Sequence, residues 1–175
     1  TEVHEQERIF SWGRQGIGPA WFEVRQRDGV VQRYGNDADS RIEAAGSSEV
    51  LAWALNEVVD KFEQTVGFAY TEDNTHGEFY PADIRWSYGS GEDPQQAHLR
   101  LAFLWEARPA DDVREGFLWG YPWRASLRLS RIDYEANAGN GLQLVHRYSL
   151  AYGAPATGES PRSLLTSVTQ CGPAD

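Results

Sequence analysis

Cysteine occurs once in the 175 residues, at position 171, and methionine does not occur at all. A lone thiol can neither close an internal disulfide nor seed a cysteine-rich metal site. The stretch Thr169-Gln170-Cys171-Gly172 gives it no nucleophile context either. A sequence without methionine even at its first position is expected to be an excised or processed piece of a larger product, so a missing targeting signal carries little meaning. No apolar run approaches the roughly 20 residues that span a bilayer, and no direct membrane span is expected. Basic residues are in deficit as well: 16 Lys and Arg stand against 26 Asp and Glu, for a net charge of −10. Without a local basic cluster to offset it, that balance repels phosphate backbones and anionic lipid, which argues against nucleic acid as a partner.

Aromatic residues are plentiful, at 13% with seven Trp and eight Tyr. That level favours pleated, half-buried surfaces and raises the expectation of β structure. The length suits one domain with a real core.

The repeated sentence of this chain is strand, turn, returning strand. Residues 50–70, VLAWALNEVVDKFEQTVGFAY, state it most fully, with apolar residues on both sides of Asp60-Lys61-Phe62-Glu63. Helical spacing competes over residues 49–63, and the neighbouring hairpins tip the reading to strand. Earlier, Trp21 to Arg27 leads into Asp28-Gly29 and returns through Val30 to Tyr34. Asp-Gly is a favoured two-residue turn because both positions need positive φ. Later, Tyr80, Ala82, Ile84, Trp86 and Tyr88 alternate on one side of a strand; Leu99, Leu101, Phe103 and Trp105 do the same, and so do Leu142 to Tyr152. Segment 163–170 starts a strand with no partner before the chain ends. About nine to eleven short strands result, with no confident helix. The expected fold class is all-β, an antiparallel hairpin meander forming a sandwich-like or curled sheet within a larger β-rich shell. Residues 1–18 read as a lead-in segment and 19–175 as a single β-rich module.

Candidate chemistry is sparse. Asp111-Asp112 and Glu92-Asp93 sit in turn-like loops beside proline, and Glu106 and Asp133 lie on strands that no pattern pairs across a cleft. His4, His76, His98 and His146 form no short ligand pair, and Glu72 to Gly77 only loosely approximates a calcium loop. His146 reads as a buried, hydrogen-bonded histidine on an apolar strand face. No Gly-x-Ser-x-Gly elbow occurs, and Gly13, Gly16 and Gly18 lack phosphate-loop spacing. No catalytic residue, cofactor or metal is therefore expected. The aromatic group Phe117, Trp119, Tyr121 and Trp123 is the one candidate site, open to two readings. Rings exposed on a β surface can stack on sugars, which would make this a carbohydrate-binding β-sandwich with glycan as partner; otherwise they pack in a core or between modules.

Several motifs carry a family resemblance. Trp53-Ala54-Leu55-Asn56-Glu57-Val58-Val59-Asp60, a Tyr-ended strand, and then Tyr80-Pro81 with Ile84 resemble the amino-terminal domain shared by the Salmonella plasmid virulence B proteins and the B components of insecticidal Tc toxins. Glu106-Ala107-Arg108-Pro109, Leu129-Ser130-Arg131-Ile132, and Tyr148, Leu150 and Tyr152 followed by Arg162 to Thr169 fit the same template. So does Trp21-Phe22-Glu23-Val24 with Asp28-Gly29. The resemblance spans roughly residues 19–172 and departs at residues 61–64, where Lys-Phe-Glu-Gln replaces a glycine-bearing turn, so a wider or bulged loop is expected there. It implies a non-catalytic, β-rich structural or interaction module of a large secreted toxin, related to Rhs and YD-repeat proteins whose toxic part lies in a separate carboxy-terminal region. Its implied partners are other domains or subunits of that toxin, and its implied location is extracellular, after a cytoplasmic stage before export. The side chains expected to form its buried apolar layer are Trp53, Tyr80, Trp86, Phe103, Trp105, Tyr148 and Tyr152.

Overall fold

The alternating segments assemble into one large sheet. In a computed structural model, residues 7–153 and 162–173 are described. The strands are β1 (Arg8–Trp12), β2 (Trp21–Arg25), β3 (Val31–Tyr34), β4 (Arg41–Glu43), β5 (Val50–Trp53), β6 (Leu55–Val59) and β7 (Gln64–Asp73). They continue as β8 (Glu78–Gly89), β9 (Leu99–Ala107), β10 (Arg114–Leu118), β11 (Tyr121–Ala125), β12 (Leu127–Asn137), β13 (Leu142–Gly153) and β14 (Leu164–Cys171). Ten of them form an antiparallel sheet in the order β1-β2-β3-β6-β7-β8-β9-β12-β13-β14, open rather than closed into a barrel. Two inserted hairpins, β4–β5 and β10–β11, make small sheets of their own. No α-helix occurs among the described residues, only three short 3-10 turns. The all-β antiparallel meander is as expected. β14 pairs back onto β13 from Arg147↔Cys171 to Gly153↔Leu164, so the last strand has a partner on one side.

The stretch at residues 50–70 is a hairpin, but a divided one. The chain breaks at Ala54, so Trp53 belongs to the small β4–β5 sheet while β6 and β7 pair through Glu57↔Gly67 and Val59↔Thr65. The loop between β6 and β7 has four residues and no glycine. Glu63 takes φ 64 there, and the Asp60 carboxylate accepts from the backbone amides of Phe62 and Gln64 at 2.8 and 2.9 Å, the local bonding that lets Asp organise a turn. The β2–β3 loop is one residue longer than the Asp-Gly rule suggests. Gln26 donates to the Val30 carbonyl at 2.8 Å, leaving Arg27, Asp28 and Gly29 as a three-residue loop closed by Gly29 at φ 93.

The clean alternation expected along β8 fails at two bulges. Opposite β7 the register slips between Thr65/Val66 and between Ala69/Tyr70, and Ser87 adopts φ 67. An extra residue at a bulge reverses which face the following side chain takes. Ile84 and Trp86 therefore share one face of the sheet, while Tyr88 turns to the other. Further slips between β3 and β6, β9 and β12, β12 and β13, and β13 and β14 add local bends and twist.

Glu78 fastens the inserted β10–β11 hairpin and the start of β12 to β8. It is 6% exposed and accepts from the Tyr80 hydroxyl at 2.7 Å and from the Ser126 amide and hydroxyl at 3.0 and 2.7 Å. Burial alone would raise its pKa, but the hydrogen bonds from Tyr80 and Ser126 outweigh it and the carboxyl lies below its ordinary value.

Candidate functional site

The two faces of the ten-stranded sheet are the reverse of the usual arrangement. Facing residues of antiparallel strands share a side, and the register places Val66, Phe68, Ile84, Trp86, Leu99, Leu101, Phe103, Ile132, Tyr134, His146 and Tyr148 together. Every one of these apolar or aromatic positions is only half-buried. Trp86, Tyr134 and His146 form a ring ladder with centroids 6.2 and 6.3 Å apart and planes within 17°. His146 also meets the Gln170 amide at 3.4 Å. Of the residues expected to form a buried layer, Trp86, Phe103 and Tyr148 lie on this partly open face, Trp53 belongs to the β4–β5 sheet, and all seven, Tyr80, Trp105 and Tyr152 included, are half-buried rather than buried.

The opposite face carries charge, and its central residues are buried. Glu23, Arg33, Glu57, Arg85, Arg100 and Glu135 lie on it, with Asp83, Asp133 and Arg147 one row away. Arg33 bridges Glu23 and Glu57, Arg100 bridges Asp83 and Glu135 at 3.6 and 3.4 Å, and Arg147 meets Asp133 in a two-pronged contact at 2.9 and 3.0 Å. Glu23, Arg85 and Asp133 are exposed by 4%, 9% and 6%. Ion pairs of this kind specify geometry more than they add net stability.

Between this face and the loops above it lies a cleft of about 420 Å³. Asp37, Asp39, Glu57, Asp83 and Glu92 ring it, and Gly67, Tyr88 and Arg85 are among its lining residues. Arg85 is held by Asp83 at 3.0 and 3.1 Å and by Gln95 at 2.8 Å. Each carboxylate also has a partner: Asp37 takes the Asn56 amide, Asp39 the Tyr70 amide, Glu57 Arg33, and Glu92 the Gly89 amide. Sequence reasoning missed this cleft. Its acidic residues come from loops and strands up to 55 positions apart, counting from Asp37 to Glu92, and Tyr88 reaches it only because of the Ser87 bulge.

The predicted aromatic cluster splits in two. Phe117 is 77% exposed and Trp119 81%, both near the tip of β10–β11, whereas Tyr121 and Trp123 are half-buried. Leu118 pairs with Tyr121, leaving Trp119-Gly120 as a two-residue turn with φ 54 and 88. That geometry favours Asn-Gly, so a tryptophan there is held in a strained conformation. Trp123 lies close over Gly116 and borders a mainly apolar recess of about 420 Å³ with Ile42, Leu51, Phe79 and Leu118.

The other sequence candidates have local structural tasks. Asp112 accepts from Arg108 and Ser163 at 2.9 and 2.5 Å, Asp93 caps the amide of Gln95 at 2.9 Å, Glu106 holds Arg128 at 2.7 Å, and Asp73 binds the Thr75 amide and the His76 ring. His4 lies outside the described residues.

The order of strands, the half-open aromatic face and the inserted hairpins can be set against known proteins. The profile of SpvB, the Salmonella virulence plasmid 65 kDa B protein, matches residues 2–96. The chain belongs to the SpvB family. The amino-terminal domain of the effector SpvB from Salmonella typhimurium strain LT2 superposes with a TM-score of 0.76 at 14% identity, over 96% of this chain and 66% of that one. A TcdB2-TccC3-Cdc42 structure matches with a TM-score of 0.74 at 16% identity, over 95% of this chain and 10% of that one. The Photorhabdus luminescens Tc holotoxin pore gives 0.74 at 17%, covering 94% and 10%. This SpvB-family chain thus spans just under two thirds of the first relative and a tenth of the Tc chains. No curated protein sequence matches it significantly. Its fold is that of a toxin-associated domain.

Proposed function

We propose that this chain is a non-catalytic structural and interaction module of a large, exported bacterial toxin, part of the β-rich scaffold that carries a toxic carboxy-terminal domain. The observation that carries this reading is the half-open aromatic face of the ten-stranded sheet, bordered by edge strands that expose apolar residues on both sides. Ile9, Phe10 and Trp12 on β1 are 67%, 37% and 44% exposed, and Leu164, Leu165 and Val168 on β14 are 56%, 53% and 56% exposed. Exposed apolar patches and open strand edges of this extent mark association surfaces. Their natural covering is other domains or subunits of the same toxin, and the solved Tc relatives, which are multi-component complexes, support that partner class.

Sedimentation of the isolated chain at micromolar concentration tests it. Reversible self-association, reduced by Ile9→Lys with Val168→Lys, is expected. A strictly monomeric chain that binds no apolar dye contradicts the reading.

A second reading rests on one observation, the strained and exposed Trp119 beside Phe117. In it the hairpin tip stacks on a glycan. A glycan array showing saturable binding abolished by Trp119→Ala supports it; binding unchanged by that substitution removes it.

A further inference from the structure

The cleft on the charged face has a property that the ion-pair ladder does not explain. Tyr88 is 6% exposed, and its hydroxyl lies directly over Gly67, in the space a Cβ would occupy. Both residues line the cleft. Among the described residues no protein group hydrogen-bonds this hydroxyl, and it is not sealed off from the cleft that Tyr88 lines. It therefore points an unused donor and acceptor into a space ringed by carboxylates.

We propose that this cleft is a seat for a basic side chain, an arginine presented by a polypeptide segment that docks on the charged face. The carboxylates of Asp37, Asp39, Glu57, Asp83 and Glu92 outnumber the single guanidinium of Arg85, which gives the lining a net charge of −4. Arg85 is held by Asp83, Gln95 and Pro94 and Arg33 pairs with Glu57, so among the described residues it is Asp37, Asp39 and Glu92 whose charge is left without an ion-pair partner. A bare divalent ion does not suit it. Calcium needs six to eight oxygens at about 2.3–2.6 Å, while these groups surround about 420 Å³, and no cluster among the described residues converges on an ion. A planar guanidinium with five N–H donors matches dispersed oxygen acceptors. The Tyr88 hydroxyl supplies a neutral one, since burial, reinforced by the Glu57 charge, pushes its pKa up to about 12. A polypeptide occupant follows from the proposed docking role, on which this inference rests; the overall charge of −10 steers a basic partner towards the chain.

The test is an NMR titration of the ¹⁵N-labelled chain with acetyl-Gly-Arg-Gly-amide and with its neutral citrulline counterpart, following the amides of Asn56, Gly67 and Gln95. The arginine peptide should give saturable shifts confined to the cleft, about tenfold tighter than the citrulline peptide. Tyr88→Phe, which breaks no internal bond, should weaken it about threefold. Glu92→Gln, whose amide oxygen can still accept from Gly89, should do likewise while leaving the fold intact. Equal response to both peptides, shifts spread over the acidic surface, or indifference to Tyr88→Phe and Glu92→Gln together would overturn the assignment. So would spermidine binding more tightly than the peptide, which would give the cleft to a free polyamine. None of these results bears on the aromatic face, so failure here leaves the scaffold reading to its own test.

Discussion

Trp119 sits where the backbone favours asparagine, with φ 54 and an 81% exposed ring. Replacing it by Asn restores the preferred Asn-Gly turn and should raise stability by about 1 kcal/mol in denaturant unfolding, with an unchanged slope. A loss of stability would mean that the ring packs internally after all. Glu72 is a second misfit. Burial first, then the charges of Glu43 and Asp39, push its carboxyl up to about 7, and one of its oxygens has no partner. The native state therefore holds a proton that the unfolded chain has already released, and stability falls as pH rises from about 4.5 to about 7. Glu72→Gln should flatten that slope and stabilise the chain at pH 8 by about 1 kcal/mol, a figure reduced for the solvent screening of a half-buried group. Thermal melts at pH 5 and pH 8 read it directly. The sequence marks both residues for other reasons but not as misfits, because the strain at Trp119 depends on the exact turn and the crowding at Glu72 on Glu43 and Asp39 brought in by the fold.

At the scale of elements, the charged ladder makes a sharp demand. Asp133 compensates Arg147 and, at 3.3 Å, Arg131. Asp133→Ala leaves two guanidinium groups without their carboxylate and should cost about 3 kcal/mol in equilibrium unfolding. A change below about 0.5 kcal/mol would show that water serves these arginines equally well. The strands themselves were largely readable, since alternation of period two marks β9 and β13, though the register slips along them were not. Loop details were less so. Asp28-Gly29 announced a turn, but its three-residue length depends on the Gln26 to Val30 bond. The absence of glycine at residues 61–64 did signal an unusual loop, and Asp60 with Glu63 shows how it is closed. The bulges of β8 left no local mark, so Tyr88 could be placed only on the wrong face.

At the scale of the molecule, the family and the all-β class were legible from the order of motifs: Trp53 closes a strand, Asp60 opens a turn, and Tyr70 and Tyr80-Pro81 face each other across the bulged β7–β8 pairing. What alternation could not reveal is which face of the sheet is closed. Apolar residues ordinarily go inside, yet here the rows through Trp86, Phe103 and Tyr134 stay half-open while Arg85 and Asp133 are buried. That inversion is what the proposed docking role requires, in which other parts of a toxin complete the apolar layer. Footprinting by hydroxyl radicals measures it most directly, by comparing the isolated chain with the same chain in the assembled toxin. The account predicts that Trp86, Phe103, Tyr134 and Tyr148 lose at least about fivefold of their labelling on assembly, as expected for rings moved into a desolvated interface. Equal labelling of those rings in the two states would contradict it.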